Sequence, residues 1–144
     1  MNSQTVQLSN FKLPTTHSFI YKDKKYPFNF DFFKLISKKL SKMQNEFSNT
    51  KEIGLLPKED EPRLNISDET IQNFINFCQM MTCEIKNDNV LHLNYLSKLY
   101  EVEELKNATD NYISNHRDEL RIEILSFGEI CPTNTETIEE SIAK

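Results

Sequence analysis

The chain has 144 residues and a mass of 17.0 kDa, enough for one domain with a core of its own. Ten Phe and five Tyr argue against disorder, while the presence of only two glycines, Gly54 and Gly128, excludes phosphate loops, dinucleotide-binding turns and nucleophile elbows, which need glycines close together. A net charge of −5 makes nucleic acid a poor partner.

The charge is uneven. From Lys22 to Lys42 seven lysines (22, 24, 25, 34, 38, 39 and 42) stand against Asp23 and Asp31, a local +5, which leaves −10 for the rest. That pattern predicts a domain with a basic and an acidic side, and a solvated helix face is its simplest explanation. The aromatics interleaved with these lysines fall at helical core positions, so they are not a stacking platform for bases.

Taken in chain order, residues 1–16 read as a polar N-terminal extension with apolar anchors at Val6, Leu8, Phe11 and Leu13. They carry neither the charged nor the apolar region of a secretion signal. Phe19-Ile20-Tyr21 and Lys25-Tyr26-Pro27-Phe28 flank Lys22-Asp23-Lys24 as a β-hairpin, with Pro27 suited to an edge. From Asn29, a plausible N-cap, Phe30, Phe33, Ile36, Leu40, Met43 and Phe47 recur every three or four residues and predict one amphipathic helix of about four turns. A loop follows to Arg63, with short strands expected at Glu52–Leu56 and Leu64–Ile66.

The second half reads as helical. Ser67-Asp68-Glu69 caps a helix carrying Ile71, Phe74, Ile75, Cys78 and Met81. Asn87-Asp88-Asn89 opens a second helix, apolar on more than one side and therefore buried. Glu103–His116 is a third and Arg117–Phe127 a fourth, with Gly128 as its stop and Pro132 beyond. Residues 117–128 thus form a C-terminal helix and 129–144 an acidic, frayed tail.

No arrangement of reactive groups rises to an active site. His17, His92 and His116 share no ligand spacing, and Cys78-x4-Cys83 lacks a second pair, so neither a metal nor any other cofactor is expected. Cys78 continues an apolar stripe and reads as a core thiol. Three cysteines without a secretory context point to free thiols in a reducing, cytoplasmic setting, with the nucleus an alternative. The different-class reading is a small enzyme using Cys83 or Cys78 as a thiolate.

The order of elements resembles the BTB/POZ domain over about residues 17–116. Leu64-Asn65-Ile66-Ser67 looks like that family's short strand and helix cap, and Ile71-Gln72-Asn73-Phe74-Ile75-Asn76-Phe77 like its x-F-x-x-L-L-x-F helix. Residues 84–90 look like a β-segment entering the next helix at Asn89-Val90, and residues 96–105 like its A-x-x-Y-x-V-x-x-L signature, followed by Tyr112-Ile113. Ser37-Lys38-Lys39-Leu40 matches its S-x-x-F step. The family's dimer-pocket Asp falls on Thr16 and a family His on Asn29.

The resemblance implies an α+β fold with a small three-stranded sheet and five or so helices. It implies a non-enzymatic protein–protein interaction module with no small-molecule substrate and no membrane partner. It further implies a homodimer formed by the N-terminal segment and first helix, with Phe11, Leu13, Asn29, Phe30 and Phe33 at the interface. The alternative is a ubiquitin-ligase adaptor that binds cullin-3 through Met43, Glu46 and Phe47. The sequence style is similar to BTB-like segments that precede ankyrin arrays in protist proteins.

Overall fold

A computed structural model describes residues 14–47, 49–80 and 82–130. Strands β1 (His17–Tyr21) and β2 (Lys24–Phe28) form the expected hairpin, turning through Lys22 at φ 48° and Asp23 at φ 64°. Two successive left-handed residues make the turn whose twist matches antiparallel strands. Strand β3 (Glu52–Gly54) adds parallel to β1, giving the order β2-β1-β3. The register pairs Phe19 with Tyr26 on one side and Ile53 on the other, and side chains alternate across a sheet. Phe19, Tyr21, Tyr26, Phe28 and Ile53 therefore share the buried face. Pro27 lies on the edge strand, where a missing N–H costs least.

The single helix expected from Asn29 is two. Helix α1 (Phe30–Ile36) ends at Ser37, whose extended backbone (ψ 112°) starts α2 (Lys38–Lys42). Ser37 Oγ accepts from Leu40 N–H and donates to the Tyr100 carbonyl, while the Lys38 N–H reaches the Glu101 carbonyl. These bonds redirect the chain and still leave Phe33 and Leu40 in one core, so the apolar period runs through a break it cannot reveal.

The expected strand at Leu64–Ile66 is absent as well. The Tyr21 hydroxyl donates to the Leu64 carbonyl and accepts from Ile66 N–H, so a side chain satisfies the groups a ladder would have used. Residues 84–90 are not a β-segment either. The Asn89 side chain accepts from Lys86 N–H and donates to the Glu84 carbonyl, folding the stretch into a local turn.

Helices α3 (Asp68–Met80), α4 (Val90–Leu99), α5 (Glu103–Asn115) and α6 (Arg121–Ile130) complete the fold. Helix α6 starts four residues later than expected and runs through Gly128, since one helical glycine costs only about 1 kcal/mol. Helix α4 is buried almost all round and packs on α3 and α5. The centre is aromatic: Phe19 stacks on Phe28 at 4.2 Å, Phe33 and Tyr100 meet Phe19 edge-on, and Phe74 packs on Phe33 and Tyr100.

Candidate interaction surfaces

Three exposed regions could engage another molecule: the open face of α1, a cleft beside α2, and the outer side of α6. On α1, Phe33 is fully buried and Phe30 nearly so, both facing the core. The residues left outside are Phe32 (43% exposed) and Leu35 (75%), one turn apart. The helical period did not single them out, because it marks the stripe that packs inward. Asn29 caps α1 by accepting from Phe32 N–H, and its Nδ2 donates to the Pro14 carbonyl at 2.7 Å. Thr16 Oγ1 accepts from Phe30 N–H. The two positions where the resemblance places a charged pair thus still bracket the start of α1, now through neutral hydrogen bonds. Of the five interface candidates, Asn29, Phe30 and Phe33 lie together at α1, and Phe11 and Leu13 fall outside the described residues.

Met43 and Phe47 line a cleft of about 210 Å³ with Leu40, Ile53, Leu55, Leu56 and Tyr100. The turn after α2 places them there, with the Glu46 and Phe47 N–H groups both donating to the Met43 carbonyl. The Phe47 carbonyl bonds the His17 ring at 3.0 Å, and its own ring meets Phe30 edge-on. Glu46 is exposed beside this cleft, so the structure gathers all three candidates on one side of the molecule.

The expected division into basic and acidic sides does not survive folding. Lys24 pairs with Asp68, Lys25 with Glu52, Lys34 with Asp31, Lys38 with Glu103 and Lys42 with Glu101. Four of those five carboxylates come from outside the lysine-rich stretch. Lys39 lies over the Tyr100 ring at 5.6 Å, a cation–π contact. A sequence count of charge ignores this interleaving, which leaves mixed signs across the surface.

The two described thiols, Cys78 and Cys83, run against nucleophilic use. Burial pushes Cys78 well up, and burial with help from Glu84 pushes Cys83 up to about 11, whereas a nucleophilic thiol needs its pKa lowered. Among the described residues no group of three His, Cys, Asp or Glu is placed to hold a metal ion. Every fully buried side-chain nitrogen or oxygen among them has a hydrogen-bond partner. No helix among them is long and apolar enough to cross a membrane.

The architecture has counterparts among solved structures. It is similar to the BTB domain of human gigaxonin, with a TM-score of 0.54 and 12% identity, over 68% of this chain and 76% of that one. The BTB domain of zebrafish PATZ1 gives the same score and identity over 70% of this chain and 76% of its own. No family model and no curated protein matches the sequence. At 12% identity the likeness is one of fold, and the fold is that of a BTB/POZ domain in a divergent sequence: a small mixed sheet and a helical cluster, as the resemblance implied.

Proposed function

We propose that this domain is a protein-interaction module that self-associates through the open face of α1 and the segment preceding β1. The observation that carries the reading is the pair Phe32 and Leu35. Both are exposed on a helix whose other face is sealed by aromatic packing, and the N-terminal segment is hydrogen-bonded beside it. Isolated surface apolar residues are ordinary, but two on one helical turn form an apolar pair, and the described start of the preceding segment, Pro14 and Thr16, is bonded at the same end of α1. A second copy covers the pair symmetrically, as a two-fold interface requires. In this reading Asn29 holds the interface in register, and Phe30 and Phe33 support it from beneath.

Size-exclusion chromatography with light scattering tests this directly. The expected mass at micromolar concentration is twice the 17.0 kDa chain, falling to the monomer in Leu35→Asp while the circular dichroism spectrum is kept. A wild-type monomer under those conditions would overturn the proposal.

A second reading has its own observation, the cleft flanked by Met43 and Phe47. A cleft lined by apolar side chains with an acidic residue beside it fits a cullin-3 contact of the kind the resemblance implies. Capture of cullin-3 by the purified domain, lost in Met43→Asp, is the expected result. Failure of the wild-type domain to bind cullin-3 would remove this reading and leave self-association untouched.

A further inference from the structure

A second cavity, of about 390 Å³, opens between the start of α2, the end of α4 and the start of α5, with no α1 residue in its lining. Lys38, Lys98 and Lys106 line it with Ser97, Glu101, Val102, Glu103 and Asn107. Two of these lysines are engaged, Lys38 with Glu103 at 2.8 Å and Lys106 with Asp110 at 2.9 Å. Glu101 is engaged with Lys42. The Lys98 amine has no hydrogen bond or ion pair among the described residues, although its side chain is partly buried in the cavity wall. The amine itself reaches solvent, since no fully buried side-chain nitrogen among the described residues lacks a partner, and so it is open to a reagent entering the cavity.

We propose that Lys98 is the preferred site of acylation on this chain, taking an acyl group from a thioester that enters this cavity. The Lys98 Nζ lone pair attacks the thioester carbonyl carbon and forms the C–N bond. The tetrahedral adduct collapses with loss of the C–S bond, and the thiolate leaves with the electron pair. The proton shed by nitrogen passes to water or to the departing thiolate, giving an amide and a free thiol, with no oxidant or reductant involved.

Three features of the site favour this reaction at Lys98. The amine lines the cavity and has no hydrogen bond or ion pair among the described residues that a reagent would have to displace. The cavity, at about 390 Å³, has room for a short acyl chain. Burial is the main effect that lowers the Lys98 pKa, the charge of Lys106 adds to it and Asp110 opposes it, so the reactive neutral amine is more populated than on an ordinary lysine. Of the charged groups around the cavity, Lys38 is offset by Glu103, Glu101 by Lys42 and Lys106 by Asp110. Acylation would remove the one uncompensated charge at the site.

The test incubates the full chain with acetyl-coenzyme A and follows each lysine by mass spectrometry. Lys98 is expected to acetylate severalfold faster than Lys51 and Lys58, which are exposed and have no ion pair among the described residues. The advantage should vanish in urea, where the cavity is gone. It should also shrink in Lys106→Gln, which removes the neighbouring cation and frees Asp110, while the rates at Lys51 and Lys58 stay unchanged. Lys98 reacting no faster than those two lysines in the folded chain, or an equal preference after unfolding, would overturn the proposal. Neither result bears on the α1 interface.

Discussion

Helices α1 and α6 both present two large apolar residues to solvent one turn apart, Phe32 and Leu35 on one, Ile122 and Leu125 on the other. Their anchoring differs. Helix α1 is fixed by a side-chain N-cap, by Ser37 at its other end, and by Phe33 within the aromatic centre. Helix α6 is held chiefly by the apolar side chains of Ile124 and Phe127, with Leu120 just ahead of it, and Phe127 meets His92 at 5.8 Å and Tyr95 at 6.1 Å. Exposure alone therefore does not single out an interface. A helix already anchored by its caps and core packing loses less entropy on association, which is why the proposed interface is placed on α1 and not on α6.

That contrast can be broken at its centre first. Phe33→Ala should cost about 3–5 kcal/mol, the usual loss for a fully buried phenylalanine, and appear as a cooperative drop in the denaturant midpoint for the whole domain. Phe127→Ala should instead release α6 alone. Hydrogen exchange would then show loss of protection in residues 121–130 with the hairpin amides unchanged, and equal loss in both regions would contradict the separation drawn here.

A smaller effect is expected at the clamp on the loop before α3. Tyr21→Phe removes the hydroxyl that serves both the Leu64 carbonyl and the Ile66 N–H, leaving two buried backbone groups unpaired. The expected loss is about 1–3 kcal/mol in a chemical denaturation experiment. A change within error would mean that water replaces the hydroxyl.

The contrast sharpens with pH. Burial lowers the pKa of His92, the residue beneath Phe127, from its ordinary 6.5. The unfolded chain takes up a proton at that value and the folded chain only below it, so stability is full above about 6.5 and declines as pH falls from there toward the lower folded value. Exchange within α6 should quicken across that interval and α1 should not respond. His92→Gln should flatten the dependence. Asp88 and Glu123 are the charged residues that line the same cavity as His92.

The smallest effect belongs to the surface charges. Lys38→Met breaks an exposed pair with Glu103 and should leave the melting midpoint within experimental error. Because most lysines of the basic stretch are paired within the chain, self-association should depend only weakly on salt, the opposite of what its charge count predicts.

Much of the fold was legible from residue order. The hairpin, the caps at Asn29 and Ser67 and the apolar stripes of α3 to α5 are local signals, set by steric preference and by periods of two and 3.6 residues. The same periodicity marked Phe30 and Phe33 and passed over Phe32 and Leu35, because a period reports which face packs inward and is silent on what the outward face is for.

What tertiary structure decided lay in contacts between residues far apart in sequence. Ser37 breaks the first helix through a bond to residue 100, and Tyr21 replaces a strand by bonding residues 64 and 66. Most of the net charge of the lysine-rich stretch is offset by carboxylates from elsewhere in the chain. Each of these is a pairing of donors with acceptors, or of charges, across long loops, and such pairings leave no period in the chain. Sequence alone determined which segments fold and which faces turn inward, because those follow from local sterics and apolar spacing. The kink, the neutralised surface and the unpaired Lys98 followed only from which partners the fold brought within reach.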